Sequence, residues 1–407
     1  MNDQVDGWID ATTAAERLGV KHATLYAYVS RGVLRRRHDE TRHQSLFDPA
    51  EIEDLRQRRR PRRRPGPGEM SIESRLTALG RDRPYYRGRD ALELAGSHTF
   101  EAVAEWLWSG STTPTEAAAT HWRASDTGVI AARAAQSGLP AHVLPIDRLQ
   151  IIVATLAATD PMRHHLDPPA VIVTGRRLIA GMIDALPLCE DRDAAGSVAR
   201  RLWSKLCATA PEPGLLAVLD AALVLLADHE LAASTVAARV AASVRADPYA
   251  VVTSGLGVAG GPMHGGASLG AERLLTDTRV PAQAAHVIGA YSRRGDRIPG
   301  IGHHIYKSGD ARGTHLFTLL RRAVPGHERL AVAEAVLAEL KARKLPEMNI
   351  DFALATLSAV TGMINGAGEA IFAIARTAGW LAHALEQYER DTPLRPRAIY
   401  TGPVISE

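Results

Sequence analysis

Residues 299–312 read PGIGHHIYKSGDAR, a run that sets glycines beside two adjacent histidines, a lysine and an arginine. Glycine lets the backbone come close to a ligand, and an imidazole can donate a hydrogen bond to a carbonyl oxygen that gains negative charge. Lysine and arginine can bind carboxylate or phosphate. The segment therefore suits a site that polarises a carbonyl and holds anions. A surface turn with an incidental histidine would have the same residues.

The sequence around this segment indicates a large helical protein. Beyond residue 70, apolar residues recur at helical spacing over stretches such as 146–159, 171–186 and 215–228, and no β-type alternation of comparable length interrupts them. Ala and Leu dominate the apolar positions and only 5 Phe are present, which favours helix over strand. Because 407 residues exceed the size at which a single core stops growing, we expect two or three structural units.

The composition argues against several classes of protein. Cys189 and Cys207 have neither CxxC spacing nor a histidine cluster at zinc-site intervals, so they predict reduced core thiols. The N-terminus lacks the basic start and apolar run of a signal peptide. The apolar stretch 215–227 is too short to span a bilayer and contains Asp220. We therefore expect a cytoplasmic protein that does not enter the membrane.

Basic charge is concentrated near the N-terminus. The formal net charge of the chain is +3, and residues 1–68 alone hold 14 Lys and Arg against 10 Asp and Glu. Residues 56–70 are rich in Arg, Pro and Gly and predict a linker, since proline breaks a helix and a run of like charges repels itself. Such a basic segment could add salt-sensitive affinity for nucleic acid, or could act only as a solvated tether.

Residues 1–55 predict a helix-turn-helix unit made of short elements. These elements are a helix capped by Thr12-Thr13 and ended by Gly19, a helix at 22–30, a wing strand at 42–47 and a helix at 49–55. The run LYAYVSRG at 25–32 and the later Phe47-Asp48 resemble MerR-type or excisionase-type winged DNA-binding domains. That resemblance implies a helix in the major groove and wing cations on phosphates. A small helical module for docking or oligomer assembly is the alternative.

Further polar segments interrupt the helical part of the chain. They are 227–235 with His229 between acidic residues, 260–267 with His264 between glycines, 346–352 with Asp351 among apolar neighbours, and 372–383 with Arg376 on an otherwise apolar helix. Glycines around a histidine are costly unless the backbone packs tightly or approaches a ligand, and apolar neighbours can raise the pKa of a carboxyl group. A metal site is disfavoured, because His303 and His304 cannot easily face one ion and no His-x3-His with a carboxylate occurs.

The order and spacing of these segments resemble the citrate synthase family, from about Ile72 to the C-terminus. The resemblance includes three further segments, 86–88, 100–110 and 395–402. It implies an all-α citrate synthase fold, preceded by the helix-turn-helix unit, with subdomains that close over the substrates and keep reactive intermediates from water. The implied large subdomain covers about 71–265 and 363–407, and the implied small subdomain about 266–362.

The resemblance also implies a reaction, the condensation of acetyl-CoA with oxaloacetate followed by hydrolysis of the thioester. By resemblance, Asp351 takes a methyl proton, His264 hydrogen-bonds the thioester oxygen, and His303 polarises the oxaloacetate ketone. The other matching positions are His229, Arg312, Arg376 and, from the second subunit of a homodimer, Arg395 for oxaloacetate, and Lys307, Pro299, Gly300, Ile301 and Gly302 for CoA. Neither a metal nor an organic cofactor is implied.

Three positions depart from the family pattern. They are Ala232 where Asn is common, Ser268 where Asn usually follows Gly-Gly-Ala, and Ala311 where Pro usually precedes Arg312. These departures leave the charged candidates intact, but they could weaken the oxaloacetate site or indicate another 2-oxo acid. A 2-methylcitrate synthase would use propionyl-CoA with the same residues, since one methylene is worth only about 1–3 kcal/mol of discrimination. A DNA-binding regulator whose enzyme-like part senses a ligand is the alternative from another class.

Overall fold

The computed structural model describes residues 8–18, 20–30, 33–39, 44–59, 71–111, 122–189, 195–390 and 392–403. Backbone contacts separate the chain into two compact units, Met1–Glu73 and Ser74–Glu407. Parts of the predicted N-terminal pattern and most of the predicted linker lie outside the described residues, namely Gly19, Arg31-Gly32, 40–43 and 60–70.

The N-terminal unit contains short helices and strands. Its elements are β1 (Ile9–Asp10), α1 (Ala11–Leu18), α2 (His22–Ser30), β2 (Arg36–Asp39), β3 (Gln44–Phe47) and α3 (Pro49–Arg59). Strand β3 lies between β1 and β2 and is antiparallel to both, so that Ile9 and Arg36 both lie opposite Phe47. Helix α3 continues beyond Leu55, where its end was predicted, into the predicted linker. The buried core consists of Ala14, Ala15, Leu18, Leu25, Leu34, Phe47, Ile52 and Leu55.

The second unit is almost entirely helical, which confirms the predicted fold class for this part of the chain. It begins with an antiparallel sheet of β4 (Thr77–Leu79), β5 (Pro84–Tyr86) and β6 (Arg89–Asp90). The helices that follow are α4 (Ala91–Ser97), α5 (Phe100–Ser109), α6 (Asp126–Ala135), α7 (Pro145–Thr159), α8 (Pro168–Ala185), α9 (Val198–Leu206), α10 (Pro213–Leu226), α11 (Ala233–Ser243), α12 (Pro248–Ala259), α13 (Ala267–Asp277), α14 (Ala284–Arg294), α15 (Ala311–Ala323), α16 (Glu328–Ala342), α17 (Ile350–Thr361) and α18 (Ala367–Tyr388), with a 3-10 helix at Pro281–Gln283.

Local sequence signals explain where many of these helices begin. Helices α7, α8, α10 and α12 all have proline in their first turn, where its missing N–H costs nothing. Asp167 and Asp247 precede two of these prolines and accept hydrogen bonds from the free backbone N–H groups of the first turn. Proline and the capping carboxylate are therefore local signals for where these helices start.

Helix α18 forms the centre of the second unit. It is buried along its whole length and packs against α5, α7, α8, α10, α11, α12, α13 and α17. The turn after α10 crosses α18 at Gly379, where an added Cβ would collide with the carbonyl oxygen of Ala227 and the carboxylate of Asp228. Only glycine allows this close crossing, which places His229 beside the helix. None of the helices in the described residues is long and apolar enough to cross a membrane.

Candidate active site

Asp351 lies in the first turn of α17. Asn349 caps this helix, because its side-chain oxygen accepts the N–H groups of Asp351 (3.0 Å) and Phe352 (3.4 Å). The hydroxyl of Ser268 donates to Oδ1 of Asp351 at 2.6 Å. Burial raises the pKa of Asp351 to about 6, although Ser268 and two arginines favour the ionised form. Asp351 is therefore a carboxylate at neutral pH whose basicity is well above that of an exposed aspartate.

The segment 299–302 lies next to the start of α17 through backbone hydrogen bonds. The N–H of Gly302 donates to the carbonyl of Glu347 at 2.7 Å, and the N–H of Asn349 donates to the carbonyl of Gly300 at 2.9 Å. Gly300 and Gly302 both have φ of +76°, and a Cβ on Gly300 would come within 2.9 Å of Phe352. These glycines therefore permit the close approach that brings the segment beside Asp351.

The backbone around His303 determines its tautomer. Its Nδ1 accepts the N–H groups of Ile305 and Tyr306, both at 3.1 Å. Burial and then the charge of Arg312 lower the pKa of His303 to about 4, so the ring is neutral at pH 7. A neutral ring that accepts at Nδ1 carries its proton on Nε2. Nη2 of Arg312, which is also a donor, lies 3.4 Å from Nε2, but the two shorter bonds to Nδ1 outweigh this contact and leave the proton on Nε2.

Arg312 is buried and fixed by a carboxylate from the preceding turn. Its Nε and Nη2 donate to the two oxygens of Asp310, both at 2.9 Å. Asp310 also caps α15, and its Oδ2 accepts the N–H of Ile350 at 3.1 Å. Although burial opposes it, Arg312 lowers the pKa of Asp310. One carboxylate thus connects the starts of α15 and α17, and with them Arg312 and Asp351.

His229 and Tyr306 complete a cluster of rings with His303. Nε2 of His229 lies 2.9 Å from the hydroxyl of Tyr306. The ring of Tyr306 stacks on His303 with centroids 4.6 Å apart, and the His229 and His303 centroids are 5.6 Å apart. Burial and the charges of Arg312 and Arg376 hold the pKa of His229 well below its usual value. His229 is therefore a neutral, polar group next to two cations.

A chain of hydrogen bonds orients His264. The indole N–H of Trp380 donates to the hydroxyl oxygen of Ser234 at 3.2 Å, and that hydroxyl lies 2.7 Å from Nε2 of His264. Since the backbone N–H of Ser234 also points to Nε2 at 3.4 Å, this nitrogen accepts and the proton resides on Nδ1. Burial and then Arg376 lower the pKa of His264 to about 4, so its ring too is neutral.

Arg376 extends from the buried face of α18. Its Nε donates to the carbonyl of Leu226 at 2.8 Å, and its guanidinium lies 4.6 Å from the ring centroid of Phe372. Phe372 in turn contacts His264 edge-on, with centroids 5.4 Å apart. Burial lowers the pKa of Arg376 to about 10, so it stays charged at pH 7. This helix thereby brings a cation within electrostatic range of His264, His229 and Asp351.

Not every residue predicted for the site lies in this cluster. Lys307 is exposed, as is Arg395 on the segment 392–403, and no described side chain pairs with either. His304 is also exposed. No group of three or more His, Cys, Asp or Glu side chains among the described residues is arranged to hold a metal ion.

The sequence reasoning missed several side chains that build the site. They are Ser234, Tyr306, Asp310 and Asn349. Asp310 and Asn349 could have been found, because Asp or Asn just before an apolar helix is a capping signal. The contacts of Ser234 and Tyr306 have no such local signal, since their partners lie far away in the sequence.

The three departures from the family pattern have separate structural consequences. Ala232 leaves α11 without a side-chain cap, whereas Ser268 hydrogen-bonds Asp351. The N–H of Ala311 donates to the carbonyl of Asp82 at 2.9 Å, a bond that proline could not make.

Comparisons with known proteins identify the family of this chain. The family model described as "Citrate synthase, C-terminal domain" matches residues 68–397. Citrate synthase 2 of Bacillus subtilis is 33% identical over 279 residues, covering 64% of this chain and 74% of that protein. 2-Methylcitrate synthase 1 of Corynebacterium glutamicum is 28% identical, covering 78% and 88%. The crystal structure of citrate synthase from Pyrobaculum aerophilum superposes with a TM-score of 0.70 at 27% identity, covering 83% of this chain and 92% of that one. The chain therefore belongs to the citrate synthase family of transferases, which form a carbon–carbon bond.

Proposed function

We propose that this protein is a citrate synthase, which condenses acetyl-CoA with oxaloacetate to give citrate and CoA. The observation that supports this most directly is the cluster of neutral His303, neutral His229 and buried Arg312, which Asp310 joins to the helix of Asp351. Citrate synthases use acetyl-CoA as a substrate and need no cofactor. Side chains of the protein must therefore carry out the proton transfers of the reaction.

In the proposed mechanism, Asp351 begins the reaction. It takes a proton from the methyl group of acetyl-CoA, and the electron pair of that C–H bond becomes the enolate. The Nδ1–H of His264 donates to the thioester oxygen, where the negative charge develops. A carboxylate with a pKa of about 6 and an imidazole kept neutral by burial suit this pair of roles at pH 7.

His303 acts in the second step. The enolate carbon attacks the keto carbon of oxaloacetate, and the Nε2–H of His303 donates to the oxygen that becomes an alkoxide and then a hydroxyl. Water then cleaves the thioester of the condensed product, which releases citrate and CoA. The buried side chains of His229, Arg312 and Arg376 hold the carboxylates of oxaloacetate, since an arginine fork binds carboxylate well.

The exposed candidates are proposed to act on CoA and across a dimer. Lys307 binds a CoA phosphate, and the backbone of 299–302 lies against the adenine. Arg395 completes the oxaloacetate site of the neighbouring protomer in a homodimer, which its exposed position on the C-terminal segment allows. An Arg395→Ala variant should raise KM for oxaloacetate, and a monomeric parent enzyme with full activity would contradict this part of the proposal.

The proposed reaction is tested by measuring the rate of CoA release with a reagent that reacts with the thiol of CoA. Acetyl-CoA and propionyl-CoA are each paired with oxaloacetate, pyruvate and 2-oxoglutarate, and acetyl-CoA with oxaloacetate should give the highest kcat/KM. The control is Asp351→Asn, which should lose CoA release while still binding both substrates. Absence of turnover with every pair would overturn the proposal.

The same panel tests 2-methylcitrate synthase as the second candidate. The relative from Corynebacterium glutamicum bears that name and aligns over more of this chain than the Bacillus relative does. A higher kcat/KM with propionyl-CoA than with acetyl-CoA would favour it. The proposed roles of the side chains would stay the same.

We also propose that the unit Met1–Glu73 is a MerR-like winged helix-turn-helix that binds DNA. Two helices are followed by the antiparallel pair of β2 and β3, and Arg36 and Arg37 are exposed on β2. Binding of duplex DNA by the full chain should weaken steeply with salt, and replacing both arginines with alanine should reduce that salt dependence. No salt-dependent retention of DNA would contradict it. If DNA binding occurs without any turnover, the chain is a ligand-sensing regulator.

A cytoplasmic location is part of the proposal. Neither Cys189 nor Cys207 forms a disulfide, which supports this location because reduced cysteines are usual in that compartment. Recovery of the protein in the secreted or membrane fraction of cells would contradict it.

A further inference from the structure

One side of Asp351 is occupied by the first turn of α13. Ser268 lies in this turn, is completely buried, and donates its hydroxyl to Oδ1 of Asp351 at 2.6 Å. This is a short bond between a hydroxyl and a carboxylate, a type stronger than a bond between neutral groups. No hydrogen bond of the described residues engages Oδ2. The two oxygens of this carboxylate are therefore in different environments.

The position of Ser268 is itself fixed by its neighbours. Glu272, one turn further along α13, accepts the N–H of Gly366 at 2.8 Å and the N–H of Gly368 at 2.9 Å. A Cβ on Gly368 would lie 3.0 Å from Cβ of Ser268 and 3.2 Å from Oε1 of Glu272, so α13 and the start of α18 are in close contact. The backbone that carries Ser268 is therefore held beside Asp351.

We propose that Ser268 is a positioning residue for the base of the reaction: its hydroxyl holds Oδ1 of Asp351 and leaves Oδ2 to take the proton from the acyl-CoA. This inference rests on the proposed function of Asp351. Rotation of a carboxylate about its Cβ–Cγ bond would otherwise exchange the two oxygens and misalign the one that reacts. A hydrogen bond to Oδ1 prevents this rotation and keeps Oδ2 aligned with the C–H bond that reacts. Preorganised groups commonly speed a reaction in this way.

Several charged groups near Asp351 influence its titration and therefore affect any pH profile of the enzyme. Arg312 and Asp310 face it from the start of α15, and Arg376 faces it from α18. Glu369 in the first turn of α18 is 4% exposed and senses the charge of Asp351, and burial raises the pKa of Glu369 to about 7. Two carboxyl groups therefore titrate near neutrality, and an experiment must separate them.

The variant Ser268→Ala tests the proposal. We expect kcat at the pH plateau to fall about ten-fold, because the carboxylate loses its alignment. We also expect the acid limb of the pH profile of kcat/KM to move up by about one pH unit, since the ionised form loses a hydrogen bond. Ser268→Cys, with a weaker donor, should lie between the parent enzyme and the alanine variant. The acid limb is the deciding readout, because a merely structural role would not shift it.

A matched control comes from the same helix as Asp351. Thr356 is buried, and its hydroxyl donates to the carbonyl of Phe352 at 2.8 Å without contacting Asp351. Thr356→Val should leave the acid limb where it is. The same comparison in a Glu369→Gln background removes the second carboxyl group that titrates near pH 7. An acid limb that Ser268→Ala leaves unchanged would overturn the proposal, whatever happens to kcat.

A second measurement does not depend on turnover. In protein labelled with carboxyl-13C aspartate, the titrating signal that Asp351→Asn abolishes belongs to Asp351. Its midpoint should rise in Ser268→Ala and stay unchanged in Thr356→Val. If the parent enzyme releases no CoA but this shift occurs, the proposed reaction fails while the hydrogen bond is verified. If CoA is released and no shift occurs, only the role of Ser268 fails.

Discussion

In His303, the backbone determines which ring nitrogen carries the proton. Two N–H groups of the following turn point at Nδ1, so the neutral ring has its proton on Nε2. His264 reaches the opposite tautomer, because Ser234 donates to its Nε2. The two histidines thus offer N–H donors through different ring atoms, although their pKa values are both about 4.

These pKa values predict the pH dependence of the reaction. Both histidines are already neutral above about pH 5, whereas Asp351 must be ionised to act as a base and has a pKa of about 6. kcat/KM should therefore be constant above about pH 7 and fall roughly ten-fold per pH unit below about pH 6. A profile of kcat/KM from pH 4.5 to 9 measures this. A midpoint near 4 would contradict the assignment of Asp351 as the base.

The raised pKa of Asp351 also predicts a cost in stability. Its pKa of about 6 exceeds the value of about 3.9 for an unfolded chain, so the folded state binds the proton more tightly. The penalty is absent below about pH 4 and grows until the pH passes 6. Asp351→Asn should therefore raise the free energy of unfolding at pH 8 by about 1–3 kcal/mol and change it little at pH 4. Urea unfolding at both pH values is the measurement, and equal effects at both would contradict the argument.

At the scale of elements, Asp310 joins two helices that carry different functional groups. Asp310→Ala would leave the guanidinium of Arg312 buried without its carboxylate and would free the N–H of Ile350. We expect a loss of about 3–5 kcal/mol in the free energy of unfolding and a higher KM for oxaloacetate. The matched control is Glu334→Ala, which breaks an exposed ion pair with Arg321 and should cost no more than about 1 kcal/mol. Equal losses in the two variants would refute the special role of Asp310.

The elements also show what a sequence can and cannot reveal. The helical class and the starts of helices such as α8 and α12 follow from periodicity, proline and capping carboxylates, which are local signals. The pairing of 299–302 with 347–349 has no such signal, because it consists of a single β-bridge and a few hydrogen bonds between distant segments. It depends on the packing of the two segments, and only the structure reveals it.

At the scale of the whole molecule, the candidate site draws on residues from positions 229 to 376. Their order along the chain allowed the resemblance to be seen, and the structure brings His303, Arg312 and Arg376 within electrostatic range of His229. The roles of these residues in the reaction stay predictions. Ser234 and Tyr306 were missed because a polar residue that contacts a distant histidine looks like any other serine or tyrosine in the sequence.

The division into two units predicts independent folding. Each unit has its own buried core, so neither needs the other to bury its apolar side chains. A chain that starts at residue 71 should therefore fold without the N-terminal unit and release CoA at a rate within about two-fold of the full chain. Differential scanning calorimetry and the CoA assay measure this. An insoluble or inactive product would show that the N-terminal unit is required.

Gly379 has a consequence for how this gene can vary. It carries no functional group, yet the crossing of the 227–228 turn over α18 leaves no space there for any other side chain. In a library that replaces each residue in turn and selects for activity, position 379 should tolerate substitution as poorly as His264 and His303. A residue without a functional group would then be as intolerant of substitution as a catalytic one, because any side chain there would collide with Ala227 and Asp228.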